Sequence, residues 1–250
     1  MFNVSRRGDV AVLQMADGKA NAMSRDFCIS FKRHVEEFRA SNAAALVITG
    51  QGRIFSAGVD LVQLSEGGAA YVRDFLPALN AMFTAVFACE KPIVAAINGH
   101  AIAGGCVLAC ATDRRLMARD SGRIGAAELL VGVPFPMMAM EILRHAVVPH
   151  RFEAAIFAGA TYAPEEAAAL GFVHEVVSED VLVEQAVTAA QALAAVSPAA
   201  FALSKQQIRA PARERIERGG AVDAEVTRLW CADATLAGVR DYVARTLKKG

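Results

Sequence analysis

The chain has no excess of charge of either sign: Lys plus Arg and Asp plus Glu number 26 each over 250 residues. Without a net positive field there is no general attraction for nucleic acid or an anionic membrane, so neither is an expected partner. The basic clusters, Arg6-Arg7, Arg114-Arg115 and Lys248-Lys249, are short and read as solvated faces. Cysteine is scarce, five residues with no framework spacing, and reduced thiols are expected. Cys106 and Cys110 stand one helical turn apart, but no Cys or His pair nearby completes a set, so they read as packing and no metal is expected. His34, His100, His145, His150 and His174 form no motif. There is no G-x-S-x-G elbow and no Walker loop, and Gly50 and Gly52 begin a GxG that lacks its third glycine. The N-terminus, MFNVSRRGDV, lacks the apolar core of a signal peptide, which points to a cytoplasmic protein.

Apolar residues, at 54%, are plentiful, enough for one globular domain or one with a helical appendage. The most informative stretch is Pro92 to Asp113, PIVAAINGHAIAGGCVLACATD. Ile93 to Ile97 suits a buried strand, and Asn98-Gly99 breaks it with a turn. Ala103-Gly104-Gly105 then leads into Cys106 to Ala111, which has no charged face and so belongs in the interior as a helix. Polar Asn98, Gly99 and His100 and the paired glycines argue against a continuous membrane span. Bare backbone at a helix start offers unsatisfied N–H groups and a partial positive charge, the requirements of an oxyanion hole. The same junction also serves simply to pack a helix tightly on a sheet.

Along the chain, Val4 to Met15 reads as two strands joined at Arg7-Gly8-Asp9, and Ser24 caps a helix to Ala40 with Phe27, Phe31, Val35 and Phe38 inward. Ala44 to Thr49 reads as a buried strand. Gly67-Gly68 precedes a helix over 69–88, Arg114 to Ala118 is a further strand, and Gly122 to Ala127 a short one. Helices are expected over 137–144, 151–157 and 164–170, with a strand over 172–177. Four more helices follow, over 179–195, 198–208, 213–229 and 232–247. Strands separated by helices imply an α/β body, here residues 1–195, with a helical C-terminal region over 196–250. Glu128 lies among Ala126, Ala127, Leu129 and Leu130. A carboxylate so placed either pairs with an arginine or carries a raised pKa suited to proton transfer.

GQGRIFSAGVDL followed by PIVAAINGHAIAGGCVLACATDRRLMA, with Glu128 fifteen residues after Asp113, resembles the crotonase (enoyl-CoA hydratase/isomerase) superfamily over nearly the whole chain. The resemblance implies a spiral of ββα units, trimers or dimers of trimers, and an acyl-CoA thioester substrate, with coenzyme A part of that substrate and no separate cofactor. By position it assigns backbone N–H donors of an oxyanion hole to Val59 and Gly104, and the proton carrier to Glu128. Lys19, Ala22 and the loop Ser56, Ala57, Gly58, Asp60 and Leu61 would hold the substrate and its CoA. Hydratases of the family carry a further glutamate three residues after the oxyanion glycine; here that place is Val107, and Ala103 replaces the first glycine of the usual triple. One remaining glutamate is the pattern of the 3,2-enoyl-CoA isomerases, which need a single base. The alternatives are a hydratase-like lyase recruiting Glu66 or Glu141, and a non-catalytic member binding acyl-CoA or RNA.

Overall fold

Two sheets carry the chain, and the computed structural model describes residues 1–246 of it; Leu247 and the Lys248-Lys249 pair lie outside the described residues. The larger sheet has six strands: β1 (Phe2–Arg7), β2 (Val10–Met15), β3 (Ala45–Thr49), then, after the short β4 (Ile54–Ser56), β5 (Ile93–Ile97). Past β6 (His100–Ile102) come β7 (Arg114–Ala118), β8 (Ile124–Gly125) and β9 (Glu175–Val177). Its order is β1-β2-β3-β5-β7-β9, antiparallel between β1 and β2 and parallel thereafter. Parallel sheets are covered on both faces, which is why ALVIT and IVAAI are apolar at nearly every position and wholly buried.

One face packs on α7 (Leu182–Ala194), whose Leu182, Ala186, Val187 and Ala190 meet Val10, Val12, Val47, Val94 and Leu116. The other face carries α1 (Arg25–Ala40), α2 (Leu61–Phe87) and the short α3 (Gly104–Cys110). The Ser24 hydroxyl accepts from the Phe27 N–H at 3.0 Å and starts α1, and the four apolar residues expected inward are buried. All seven residues of α3 are buried, as a helix without a polar face requires.

Several boundaries differ from the sequence expectation: the strand expected over 172–177 is only β9, that over 122–127 only β8, and β6 had no expectation. Helix α2 begins at Leu61, where Asp60 caps it by accepting from the Val62 and Gln63 N–H groups at 3.1 and 3.0 Å. Gly68, at φ 57°, makes a kink inside α2 instead of a gap before it. The C-terminal helices divide at Gly219 instead of near Pro211: α8 (Pro198–Arg218) runs through that proline, whose lost hydrogen bond would have gone to the exposed Gln207. Between α3 and α8 lie α4 (Met137–Ala146), α5 (Pro149–Ala158) and α6 (Pro164–Leu170), and the chain closes with α9 (Gly220–Trp230) and α10 (Asp233–Thr246). Helix α8 packs on α4, and α10 on α2.

Asp113, just before β7, ties α8 to the sheet. Its carboxylate accepts from Lys205 Nζ at 2.8 Å, Arg209 Nη2 at 2.9 Å and the Ile93 N–H at 2.8 Å. Among the described residues no single helix is long and apolar enough to cross a membrane.

Candidate active site

The second sheet is small and wholly parallel, in the order β4-β6-β8. Each strand ends at one component of the site. Ala57-Gly58-Val59 follows β4, Ala103 and the first turn of α3 follow β6, and Glu128 follows β8. The carboxyl ends of parallel strands are where open α/β folds place ligands. At the opposite ends of β4 and β6, Asn98 ties the two strand starts together: its amide donates to the Gly52 carbonyl at 2.8 Å while its oxygen accepts from the Gly50 N–H at 2.7 Å. Gly99 must be glycine, since a Cβ there would lie 1.8 Å from the Arg53 carbonyl oxygen.

Val59 pairs with Met23 in a parallel bridge that spends its neighbours' groups and leaves its own N–H free. The Met23 N–H donates to Gly58 at 2.7 Å and the Asp60 N–H to Met23 at 3.1 Å. Among the described residues, neither the Val59 N–H nor the Gly104 N–H donates to a backbone carbonyl. The two segments lie backbone against backbone: a Cβ on Gly58 would sit 3.0 Å from the Gly104 nitrogen, and one on Gly104 would sit 3.7 Å from the Val59 nitrogen. Two unspent amides converging at a helix start can hold an oxygen that gains charge during a reaction. Ala103 forms the corner between β6 and α3 at φ 51° and ψ −121°, a region that a side chain strains.

Glu128 opens a single 3-10 turn, Glu128–Val131, and is 7% exposed. Among the described residues its Oε2 is buried with no hydrogen-bond partner. Burial pushes its pKa up to about 8, partly offset by its own backbone N–H. The Ala103 N–H donates to the Gly125 carbonyl at 2.8 Å, which couples the Glu128 segment directly to the turn bearing Gly104. Val107, on α3, is fully buried. A carboxyl held dry, unpaired and close to neutral in pKa is suited to moving a proton at carbon.

The substrate-binding candidates fall into two kinds. The segment of Lys19 and Ala22 runs beside the β4 loop, joined by the Ala57 N–H donating to Ala20 at 3.0 Å. Lys19 and Ala57 are exposed, and Ala22 and Leu61 half-buried. The Ser56 side chain faces inward: its hydroxyl donates to the Asn21 carbonyl at 2.8 Å and accepts from the Gly58 N–H at 3.2 Å, so it shapes the loop from within. Asp60 is likewise occupied as the cap of α2. Gly58 supplies the close approach described above.

Neither alternative carboxylate joins Glu128 as a free group. Glu141, 2% exposed, is ion-paired with Arg144 at 3.2 Å and Arg215 at 2.6 Å, and Glu66 is exposed on α2. Sequence reasoning missed Asn21 and Met23 as structural parts of the site. Asn21, at φ 46° and 2% exposed, donates to the Phe55 carbonyl at 3.0 Å; its tolerance of left-handed angles was the available signal. Met23 lies under the Gly104 turn, its sulfur 3.0 Å from where a Cβ would stand. All five cysteines are free.

The enoyl-CoA hydratase/isomerase family description matches residues 5–246. The chain belongs to that family. Among family relatives, the mitochondrial enoyl-CoA delta isomerase 1 of Rattus norvegicus is 30% identical over 71% of this chain and 63% of its own length. The carnitinyl-CoA dehydratase of Salmonella typhi is 31% identical over 87% and 84%. In fold, the human mitochondrial delta3-delta2-enoyl-CoA isomerase superimposes with a TM-score of 0.93 over 99% of this chain and 98% of that one, at 24% identity. The protein is thus a crotonase-superfamily enzyme with an acyl-CoA-processing scaffold, and its family relatives include both an isomerase and a dehydratase.

Proposed function

We infer that the chain is a 3,2-enoyl-CoA isomerase acting on unsaturated fatty acyl-CoA. The carrying observation is the buried carboxyl of Glu128, whose Oε2 has no hydrogen-bond partner among the described residues, with Val107 at the position where the family's hydratases carry a second glutamate. Hydration needs one group to activate water and another to protonate carbon, whereas moving a double bond needs one base for both proton transfers. The ionised Glu128 takes a proton from C2 of the 3-enoyl thioester. The C2–H electron pair forms the C1–C2 double bond, and charge collects on the thioester oxygen, facing the Val59 and Gly104 amides. The same carboxyl then protonates C4 as the electrons return, leaving the 2,3 double bond and a carboxylate ready for another cycle. Each amide donor is worth roughly 3–4 kcal/mol of barrier in such a site. Coenzyme A enters as part of the substrate, and no further cofactor takes part.

Assembly as a trimer or dimer of trimers fits the exposed apolar side chains of Leu130, 66% exposed and two residues from Glu128, and Phe157, 75% exposed. The deciding experiment compares kcat/KM for 3-hexenoyl-CoA isomerisation with that for crotonyl-CoA hydration on one preparation. Isomerisation is expected to be faster by about 10²-fold or more, the worth of a missing general base. Faster hydration would overturn the reading. In deuterated water, partial retention of the original proton at C4 is expected of one base serving both carbons.

A further inference from the structure

At the end of α3 opposite Gly104, a cavity of about 360 Å³ opens between α8, the start of β7 and the end of α4. Its lining is cationic. Arg115, Lys205 and Arg209 are 4%, 8% and 5% exposed, and Asp113 is the one carboxylate among them. Asp113 is shared between Lys205 and Arg209, so that group retains an unmatched positive charge with little access to water. His145 and His174 also line the cavity, and burial and the nearby guanidiniums lower both, His174 to about 4, so neither adds charge at pH 7. Arg115 places donors opposite both ring nitrogens of His174, at 3.1 and 3.4 Å, although a neutral ring accepts at only one. Among the described residues Lys205 Nζ, besides Asp113, donates only to the Lys91 carbonyl, at 3.3 Å.

A mainly apolar cavity of about 200 Å³, with Glu90 and Lys91 also in its lining, adjoins it at the bend between α7 and α8, and Leu193 and Phe201 line both. Lys205 Nζ lies 5.7 Å from the Phe201 ring, at the junction of the cationic and apolar chambers. Large apolar residues stand exposed at both, Ile208 at 65% and Val196 at 49%. Buried cations next to an aliphatic slot complement a molecule with an anionic head and an apolar tail. We propose that the paired cavities form a second small-molecule site, which takes a straight-chain carboxylate with its head on Lys205 and Arg209 and its chain along Leu193 and Phe201. The site is separate from Glu128 and does not depend on which reaction occurs there.

Calorimetric titration of the full chain at low salt tests this, with n-octanoate, n-octanol and inorganic phosphate as probes. Octanoate is expected to bind saturably, at least tenfold tighter than octanol or phosphate, with affinity rising by about tenfold or more from butanoate to octanoate. Ser204, exposed at the cavity lip, permits a variant that spares the core. Ser204→Glu should weaken octanoate by tenfold or more through charge repulsion while leaving turnover of acyl-CoA unchanged. Octanoate binding unaltered in Ser204→Glu would place the molecule elsewhere, the acyl pocket included, and overturn the proposal. Phosphate as tight as octanoate would also overturn it, because charge alone would then be read. So would an inert octanoate together with a changed sedimentation coefficient in the variant, which would make the lip a contact between copies.

Discussion

Glu128 is the residue at which stability and chemistry oppose each other. Its pKa is about 8 in the folded chain against an ordinary 4.5, so between those values the folded protein keeps a proton that the unfolded chain has lost. The stabilisation is fully present below pH 4.5 and disappears as pH rises through 8. Above pH 8 the folded protein must hold a charged carboxylate out of water, a penalty that Glu128→Gln removes. In urea titrations at pH 8.5 the variant should be more stable than the parent by a few kcal/mol, since each tenfold change in proton affinity corresponds to about 1.4 kcal/mol. Its isomerase turnover should fall about 10²-fold or more. Unchanged stability with full activity would show that this carboxyl is neither dry nor the base. In the parent, kcat/KM should climb about tenfold per pH unit at low pH and level off near pH 8, because only the ionised form takes a proton. Ala103 offers the opposite case, a strain with no chemical duty of its own. Ala103→Gly should raise stability to urea by about 1 kcal/mol through relief of the positive φ, net of glycine's greater unfolded-state entropy.

At the scale of elements, the two amide-bearing turns depend on having no side chain between them. Gly104→Ala would put a methyl 3.7 Å from the Val59 nitrogen and 3.0 Å from the Met23 sulfur, which must give way by a few tenths of an ångström. The expected result is a kcat/KM lower by about 10²–10³ with an unchanged far-ultraviolet spectrum. An active, folded variant would move the oxyanion position elsewhere. Much of this was legible in the sequence. The buried strands β3 and β5, the Ser24 cap and the burial of α3 follow from apolar runs, a hydroxyl at a helix start and the absence of a charged face. Strand β6 did not show, because three residues, His100-Ala101-Ile102, are too few to display a period. The helical start at Leu61 was hidden by Gly67-Gly68, which reads as a break although one left-handed glycine merely bends the helix. That the Ser56 hydroxyl is spent on the Asn21 carbonyl is a tertiary fact with no local signature, whereas the Asp60 cap is local and was masked by the same pair of glycines.

For the whole molecule, the Asp113 cluster is the ion-paired tie between α8 and the sheet. Asp113→Asn leaves Lys205 and Arg209 without their counter-charge, and unfolding should become easier by about 3–5 kcal/mol in urea titrations at pH 7. A loss below about 1 kcal/mol would mean that apolar packing alone seats α8. Nothing in the sequence announced this cluster, since its members come together only when β7 and α8 fold against one another.

The small β4-β6-β8 sheet has a further consequence in time. Its pairings, Ile54 with His100 and Ala101 with Ile124, join segments far apart in the chain, and such contacts close slowly because the intervening loop must first be ordered. Helices, whose hydrogen bonds are local, can form before the three strand ends meet. During refolding, catalytic activity should therefore return after the helical signal has recovered, and a chain still searching for its shape carries no working base.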